Sequence, residues 1–331
     1  MRLREFLVGT AALGTAAAML IAGLAASAQA ADKPVYGVLL KTLSNPFWGA
    51  MEKGIHDGAD AAGVDYFMQA VESDQAAEPQ LNTCNTMLER KPVVMITAAI
   101  NSTILLPCLK RANELGMPVV DLDANLDHAI AAKAGVKLAF TIGSDNVAAG
   151  AQGADWLAGK LGKEAKGPVL VIEGLAGNIT GQKRAQGFKD ELAKAAPGLK
   201  VVASLPGDWD RQKAANITND TLTRNPDLAA IFCANDTMAL GAVEAAYAAG
   251  KGGKITIIGV DGNVDAVKSI KAGRLDASVA QLPYLVGKQA VEKAKAVLAG
   301  QKADEYTYVP TLVLTKQVLE ENKDPMLQYV K

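Results

Sequence analysis

The stretch VYGVLLKTLSNPFW, Val35 to Trp48, carries the reading of the whole chain. An apolar run of strand composition passes through a short polar segment into Asn45-Pro46, an N-cap residue followed by proline at the first helical position. The unit is a strand that stops where a helix begins. Phe47 and Trp48 therefore stand at a helix mouth and not in mid-core, in a chain with only 16 aromatic residues. Two large rings at such an edge either pack under a neighbouring loop or form one wall of a ligand site.

The same unit recurs along the chain. Strand-like runs VDYFMQAV (64–71), VVMITAA (93–99), PVVDLDA (118–124), LAFTIGSD (138–145), PVLVIEG (168–174), KVVASLPG (200–207), AAIFCAND (229–236), ITIIGVDG (255–262) and LDASVAQ (275–281) alternate with amphipathic segments such as AMEKGIHDGADAAG and QKRAQGFKDELAKAA. Regular βαβ alternation predicts parallel sheets covered by helices on both faces. About ten strands suit two sheets better than one. The segment AAKAGVKLAF (131–140) breaks the alternation and is the expected crossing between them.

Composition narrows the class further. A chain of 331 residues, 50% hydrophobic and 21% charged, is globular and long enough for two domains, and a formal net charge of -1 without a Lys/Arg cluster carries no footprint for nucleic acid. Arg2 and Arg4 precede an apolar stretch from Phe6 to about Ala26 that closes on ASAQA, with small residues at Ala28 and Ala30. This pattern reads as an export signal removed after Ala30 and not as a retained anchor. Cys84, Cys108 and Cys233 are too few and scattered for a disulfide framework or metal cluster; Cys84 and Cys108 fall on successive predicted helices and could pair in an oxidising compartment, but buried, unpaired thiols are the favoured expectation.

Polar and aromatic residues recur just beyond the strand ends: Lys41, Asn45, Asp123, Asn178, Trp209, Asn235, Asp236, Asp261 and Gln281. Ligands of open parallel sheets bind beyond those carboxyl ends. Carboxylates, carboxamides, a cation and aromatic faces suit a polyhydroxylated ligand, whose hydroxyls both donate and accept while its C–H faces stack on rings. Catalytic and cofactor patterns fail on inspection. Gly174, Gly177 and Gly181 of GLAGNITG do not fit a dinucleotide loop, and two Tyr-x-x-x-Lys spacings, from Tyr247 and Tyr284, lack one upstream. The series Asp121, Asp123, Asn125, Asp127 starts like a calcium loop but has Leu126 and Ala132 where glycine and glutamate are required. His56 and His128 lack ligand spacing, which leaves surface or structural roles, and no cofactor or metal is expected.

Taken together, KTLSNPFW, LDANLD, GNITGQKRAQGF, DWDRQKA, CANDTMALGA, VDGN and VAQLP, in this order, resemble the ribose- and allose-type sugar-binding proteins of ABC importers, type I periplasmic binding proteins. The resemblance implies two doubly wound α/β lobes joined by a three-crossing hinge, with residues 31–139 and 282–308 in the N-terminal lobe and 140–281 and 309–331 in the C-terminal one. It implies a monosaccharide held between the lobes by Lys41, Asn45, Phe47, Trp48 and Asp123 on one side and Arg184, Trp209, Asn235, Asp261 and Gln281 on the other. One departure stands out: the residue after the binding aspartate, usually charged in the family, is Ala124 here, so a hydroxyl contact is missing or comes from Asn125 or water. The expectation is a monomeric, non-enzymatic periplasmic receptor that delivers a monosaccharide, or a polyol or rare ketose of similar size, to a membrane permease. A sugar-responsive regulatory domain is the alternative.

Overall fold

The computed structural model describes residues 33–330. Its first half runs β1 (Val35–Leu39), α1 (Pro46–Ala62), β2 (Asp65–Gln69), α2 (Ala77–Glu89), β3 (Met95–Thr97), α3 (Leu106–Glu114), β4 (Val119–Leu122), α4 (His128–Lys133) and β5 (Leu138–Gly143). The second half runs α5 (Asn146–Leu161), β6 (Gly167–Glu173), α6 (Ile179–Ala195), β7 (Leu199–Pro206), α7 (Arg211–Arg224), β8 (Ala230–Cys233), α8 (Asp236–Ala248), β9 (Thr256–Asp261), α9 (Val264–Lys271) and β10 (Ala277–Ala280). Helix α10 (Pro283–Leu298), strands β11 (Tyr306–Tyr308) and β12 (Leu312–Thr315), helix α11 (Lys316–Glu321) and a 3₁₀ turn (Pro325–Tyr329) complete it.

The opening stretch folds as its residues dictate. Asn45 takes extended backbone angles and its Oδ1 accepts from the Phe47 amide at 3.1 Å, Pro46 occupies the first turn, and the helix ends at Gly63 in the left-handed region. Trp48, Met51, Ile55 and Ala59, three and four residues apart, form the buried face. Each amphipathic segment covers a sheet in the same manner. From Pro34 onward the chain forms one compact unit containing two six-stranded sheets, ordered β11-β5-β4-β3-β1-β2 and β12-β10-β9-β8-β6-β7. The fold class is thus two parallel-sheet α/β lobes, apart from β12, which runs antiparallel to β10.

The chain passes between sheets three times: after Gly143, around Gln281–Pro283, and between Tyr308 and Leu312. The segment 131–140 is not a crossing. It is the end of α4 and the start of β5, and β5 pairs with β4, so the passage comes a few residues beyond 139. The two strands after α10 follow one another with no helix between them, so no βα alternation marks them in the sequence. The last turn also departs from the expected second-lobe placement, since Tyr329 stacks on Tyr284 of α10, whose neighbours are in the first lobe.

Cys84 and Cys108 are joined by a disulfide between α2 and α3, which corrects the reading of them as free thiols. Both are fully buried beneath the first sheet, and their spacing along two helices carried no sign that the helices lie side by side. Cys233 is free and buried, with its thiol pushed upward by burial. In the second lobe α5 and α6 cross at near backbone contact: a Cβ on Gly150 would fall 2.0 Å from the Arg184 carbonyl, and one on Gly187 would fall 2.1 Å from that of Val147. Only glycine permits this approach. It sets Arg184 beside Asn146 at the top of α5.

Candidate functional site

The strand ends of both lobes converge on one cavity. Nine of the ten residues named from the sequence line it: Lys41, Asn45, Phe47, Trp48 and Asp123 from the first lobe, and Arg184, Trp209, Asn235 and Asp261 from the second. Gln281 stands behind them and donates from Nε2 to Asp261 Oδ1 at 2.6 Å. Asp74 and Thr180 also line the cavity, and neither stands out in the sequence.

The first-lobe wall is built on the ends of β1 and β4. Lys41, 4% exposed, points its ammonium at Asp123 Oδ2 (3.2 Å) and over the Trp48 ring, 4.8 Å from the centroid. Phe47 meets Trp48 edge to face at 4.9 Å, so the pair presents one rigid aromatic corner. Asp123 and Ala124 hold left-handed backbone angles, φ 70° and 55°, which turn the chain sharply after β4 and aim the carboxylate inward. Gln80 of α2 braces this wall. Its side chain donates to the carbonyls of Leu40 and Ala98 and accepts from the Ile100 amide, so one buried amide joins the ends of β1 and β3.

The second-lobe wall centres on Arg184, whose guanidinium is held by Asn146 Oδ1 (2.8 Å), the Ala234 carbonyl (2.8 Å) and Asp261 Oδ1 (3.2 Å). Burial pushes the Asp261 carboxyl up to about 7; Arg184 and Gln281 oppose the rise, and the carboxylates of Asp123 and Asp74 add to it. Asn235 caps α8 by accepting from the Met238 amide at 2.9 Å. Trp209 is half-buried, with φ 63°, and lies 5.8 Å from the Arg184 guanidinium. A Cβ on Gly174 would meet its ring at 2.2 Å and one on Gly181 at 2.9 Å. Glycines that failed as a dinucleotide loop are therefore the bed on which this tryptophan lies.

Asn125 does not serve the cavity, which corrects one expectation. Its Nδ2 donates to the carbonyls of Ala99 and Ile100, and its Oδ1 accepts from the Ile179 and Thr180 amides of the other lobe. Those four bonds exhaust the carboxamide. Asn178, the cap of α6, reaches back to the same Ile100 carbonyl at 3.1 Å. The two asparagines thus join the lobes and leave the ligand to other residues. The histidines take structural or surface positions: His128 bonds Thr141 Oγ1 at 2.8 Å and lies near buried Asp121, and His56 is exposed beside Asp57. Among the described residues no group of three or more His, Cys, Asp or Glu could hold a metal ion, and no helix is long and apolar enough to cross a membrane.

Residues 36–302 match the family model described as a periplasmic binding protein domain. The chain belongs to this family. Among relatives of this periplasmic binding protein, the D-allose-binding periplasmic protein of Escherichia coli K12 is 39% identical over 302 residues, covering 89% of this chain and 96% of that protein. A ribose import binding protein of Haemophilus influenzae is 34% identical, over 89% and 96%. In three dimensions the chain superposes on an ABC transporter periplasmic solute-binding protein from Actinobacillus succinogenes with bound D-allose, with a TM-score of 0.82, 33% identity, and 87% and 100% of the two chains covered. A solute-binding protein from Agrobacterium vitis bound with α-D-tagatopyranose gives 0.81 at 30% identity, over 89% and 98%. These relatives are transport binding proteins, and their two-lobed fold is the one described above.

Proposed function

We propose that this periplasmic binding protein captures a neutral monosaccharide, of the D-allose or D-ribose type, in the cavity between its lobes and presents it to the membrane permease of an ABC importer. The observation that carries the reading is the cavity itself, where an aromatic corner and an opposed tryptophan flank a ring of fixed donors and acceptors. Lys41 and Arg184 supply the donors. Asp74, Asp123 and Asp261 supply acceptors for ligand hydroxyls, and with these acids beside the two cations the wall carries no surplus of positive charge to hold a uronate or sugar phosphate. Each lobe contributes about half of the lining, so a sugar that satisfies both walls stabilises the arrangement in which they meet.

The arrangement suits binding without turnover. Lys41 is tied to Asp123 and Arg184 to Asp261, and the described residues offer no paired nucleophile and base in the cavity. A polyol or a rare ketose fits the same groups and is the second reading. A thermal-shift screen over pentoses, hexoses, ketoses and polyols, with recovery of the bound compound unchanged after long incubation, tests the proposal. A strong stabilisation by one sugar supports it, and conversion of that sugar would refute it. The export reading belongs to the same proposal: residues 1–32 lie outside the described residues, and intact mass of the exported protein is expected to begin at Ala31.

A further inference from the structure

The cavity holds one carboxylate that neither the strand-end pattern nor the family resemblance brings forward. Asp74 follows β2 on a loop of the first lobe, yet it lines the same cavity as Lys41, Trp48 and Asp123. Its carboxyl lies within electrostatic reach of Lys41, Asp123 and the Trp48 indole. Burial raises its carboxyl above the ordinary range, and the lysine and the indole oppose that rise. It also lines an outer groove between the lobes with Asn45, Gln75 and Trp209, which places it at the mouth of the cavity.

The neighbourhood of Ala124 gives this carboxylate a task. The small side chain at 124 is 4% exposed and offers no polar atom, and Asn125 next to it is fully spent on backbone groups of both lobes. The contact expected from a charged residue after Asp123 therefore has no source on that loop. Asp74 lines the same cavity as Lys41 from another loop and is the further ionisable group on the first-lobe wall.

We infer that Asp74 is a direct ligand contact and a specificity-determining residue, accepting a hydrogen bond from a sugar hydroxyl on the Lys41 side of the cavity in place of the charged residue absent at 124. The inference rests on the monosaccharide reading above. Because the acceptor comes from the mouth and not from the loop after β4, the hydroxyl it serves projects outward past Lys41.

The test is calorimetric titration of D-allose and D-ribose, and of the monodeoxy derivatives of whichever binds more tightly, into the wild type, Asp74→Ala, Asp74→Asn, Asp123→Ala and the exposed-neighbour control Glu72→Gln. Thermal melts of each unligated variant check folding, and Asp74→Asn, which keeps the side-chain shape, serves if the alanine variant is unstable. The expected result is a ten- to hundredfold loss for both Asp74 variants, none for Glu72→Gln, and one monodeoxy sugar that wild type and Asp74→Ala bind equally. Wild-type affinity in Asp74→Ala or Asp74→Asn, with Asp123→Ala impaired, overturns the inference and leaves the sugar reading standing. A loss that no deoxy derivative cancels also overturns it, since Asp74 would then act only through Lys41. A wild type that binds neither sugar overturns the reading and the inference together.

Discussion

Replacing Trp209 by alanine tests the geometry of the cavity most directly. The ring is half-buried, lies on the bed made by Gly174 and Gly181, and faces the cavity from the lobe opposite Trp48. A sugar face that covers roughly 100 Å² of it gains about 2.5 kcal/mol at 25 cal/mol per Å². That corresponds to a loss of roughly seventyfold in affinity on truncation. The fold should survive, because the ring packs on backbone at the cavity rim and not in the sheet core. Trp156 is the control: it is partly buried on α5, away from the cavity and beside Lys160 and Thr315. Trp156→Phe should therefore bind the sugar as wild type does and keep the change in tryptophan emission on binding. Calorimetry on Trp209→Ala, Trp48→Ala and Trp156→Phe separates these outcomes, and wild-type affinity in Trp209→Ala would refute the opposed-ring argument.

Asp123→Ala and Asp261→Ala should each weaken sugar binding by roughly ten- to a hundredfold, the ~1.5 to 3 kcal/mol of a charged acceptor, whereas Asp127→Ala should cost stability alone because its Oδ1 caps α4 at the Ile130 amide; equal isotherms for all three would undo the assignment. Asp261 also predicts a pH dependence. Its folded-state pKa of about 7 exceeds the ordinary 3.8, so its contribution to stability is fully present below about pH 4 and is lost as pH rises toward 7; urea titrations of the unligated protein from pH 4.5 to 7.5 should show a shallower decline in Asp261→Asn. If the carboxylate form takes the sugar, binding below pH 7 expels a proton, visible as a buffer-dependent heat. Breaking the Cys84–Cys108 bridge, which closes a separation of 24 residues, should lower stability by about 3 kcal/mol; unchanged melting of Cys84→Ser under non-reducing conditions would contradict it.

Much of the architecture was legible in order and spacing, because a βα unit is a local object. Apolar runs of five to seven residues, caps such as Asn45-Pro46 and amphipathic periods are written within a few residues of one another, and their alternation implies parallel sheets. The recurring polar residues at strand ends were legible for the same reason, since the open edge of a parallel sheet is defined by each strand's own last residue. The strands at 306–308 and 312–315 were not, since no helix separates them and each is added at a sheet edge, beside β5 and β10 respectively. What the tertiary structure alone decided were relations between distant segments. The Cys84–Cys108 bond depends on how α2 and α3 lie against each other. The bed of Gly174 and Gly181 has meaning only once Trp209 rests on it. Asn125, two residues after Asp123, turns out to be consumed by backbone groups of both lobes, while Asp74, distant in sequence from either, lines the cavity. A residue's chemistry is carried by the chain, but which of its donors and acceptors remain free for a ligand is settled by every hydrogen bond the fold has already made.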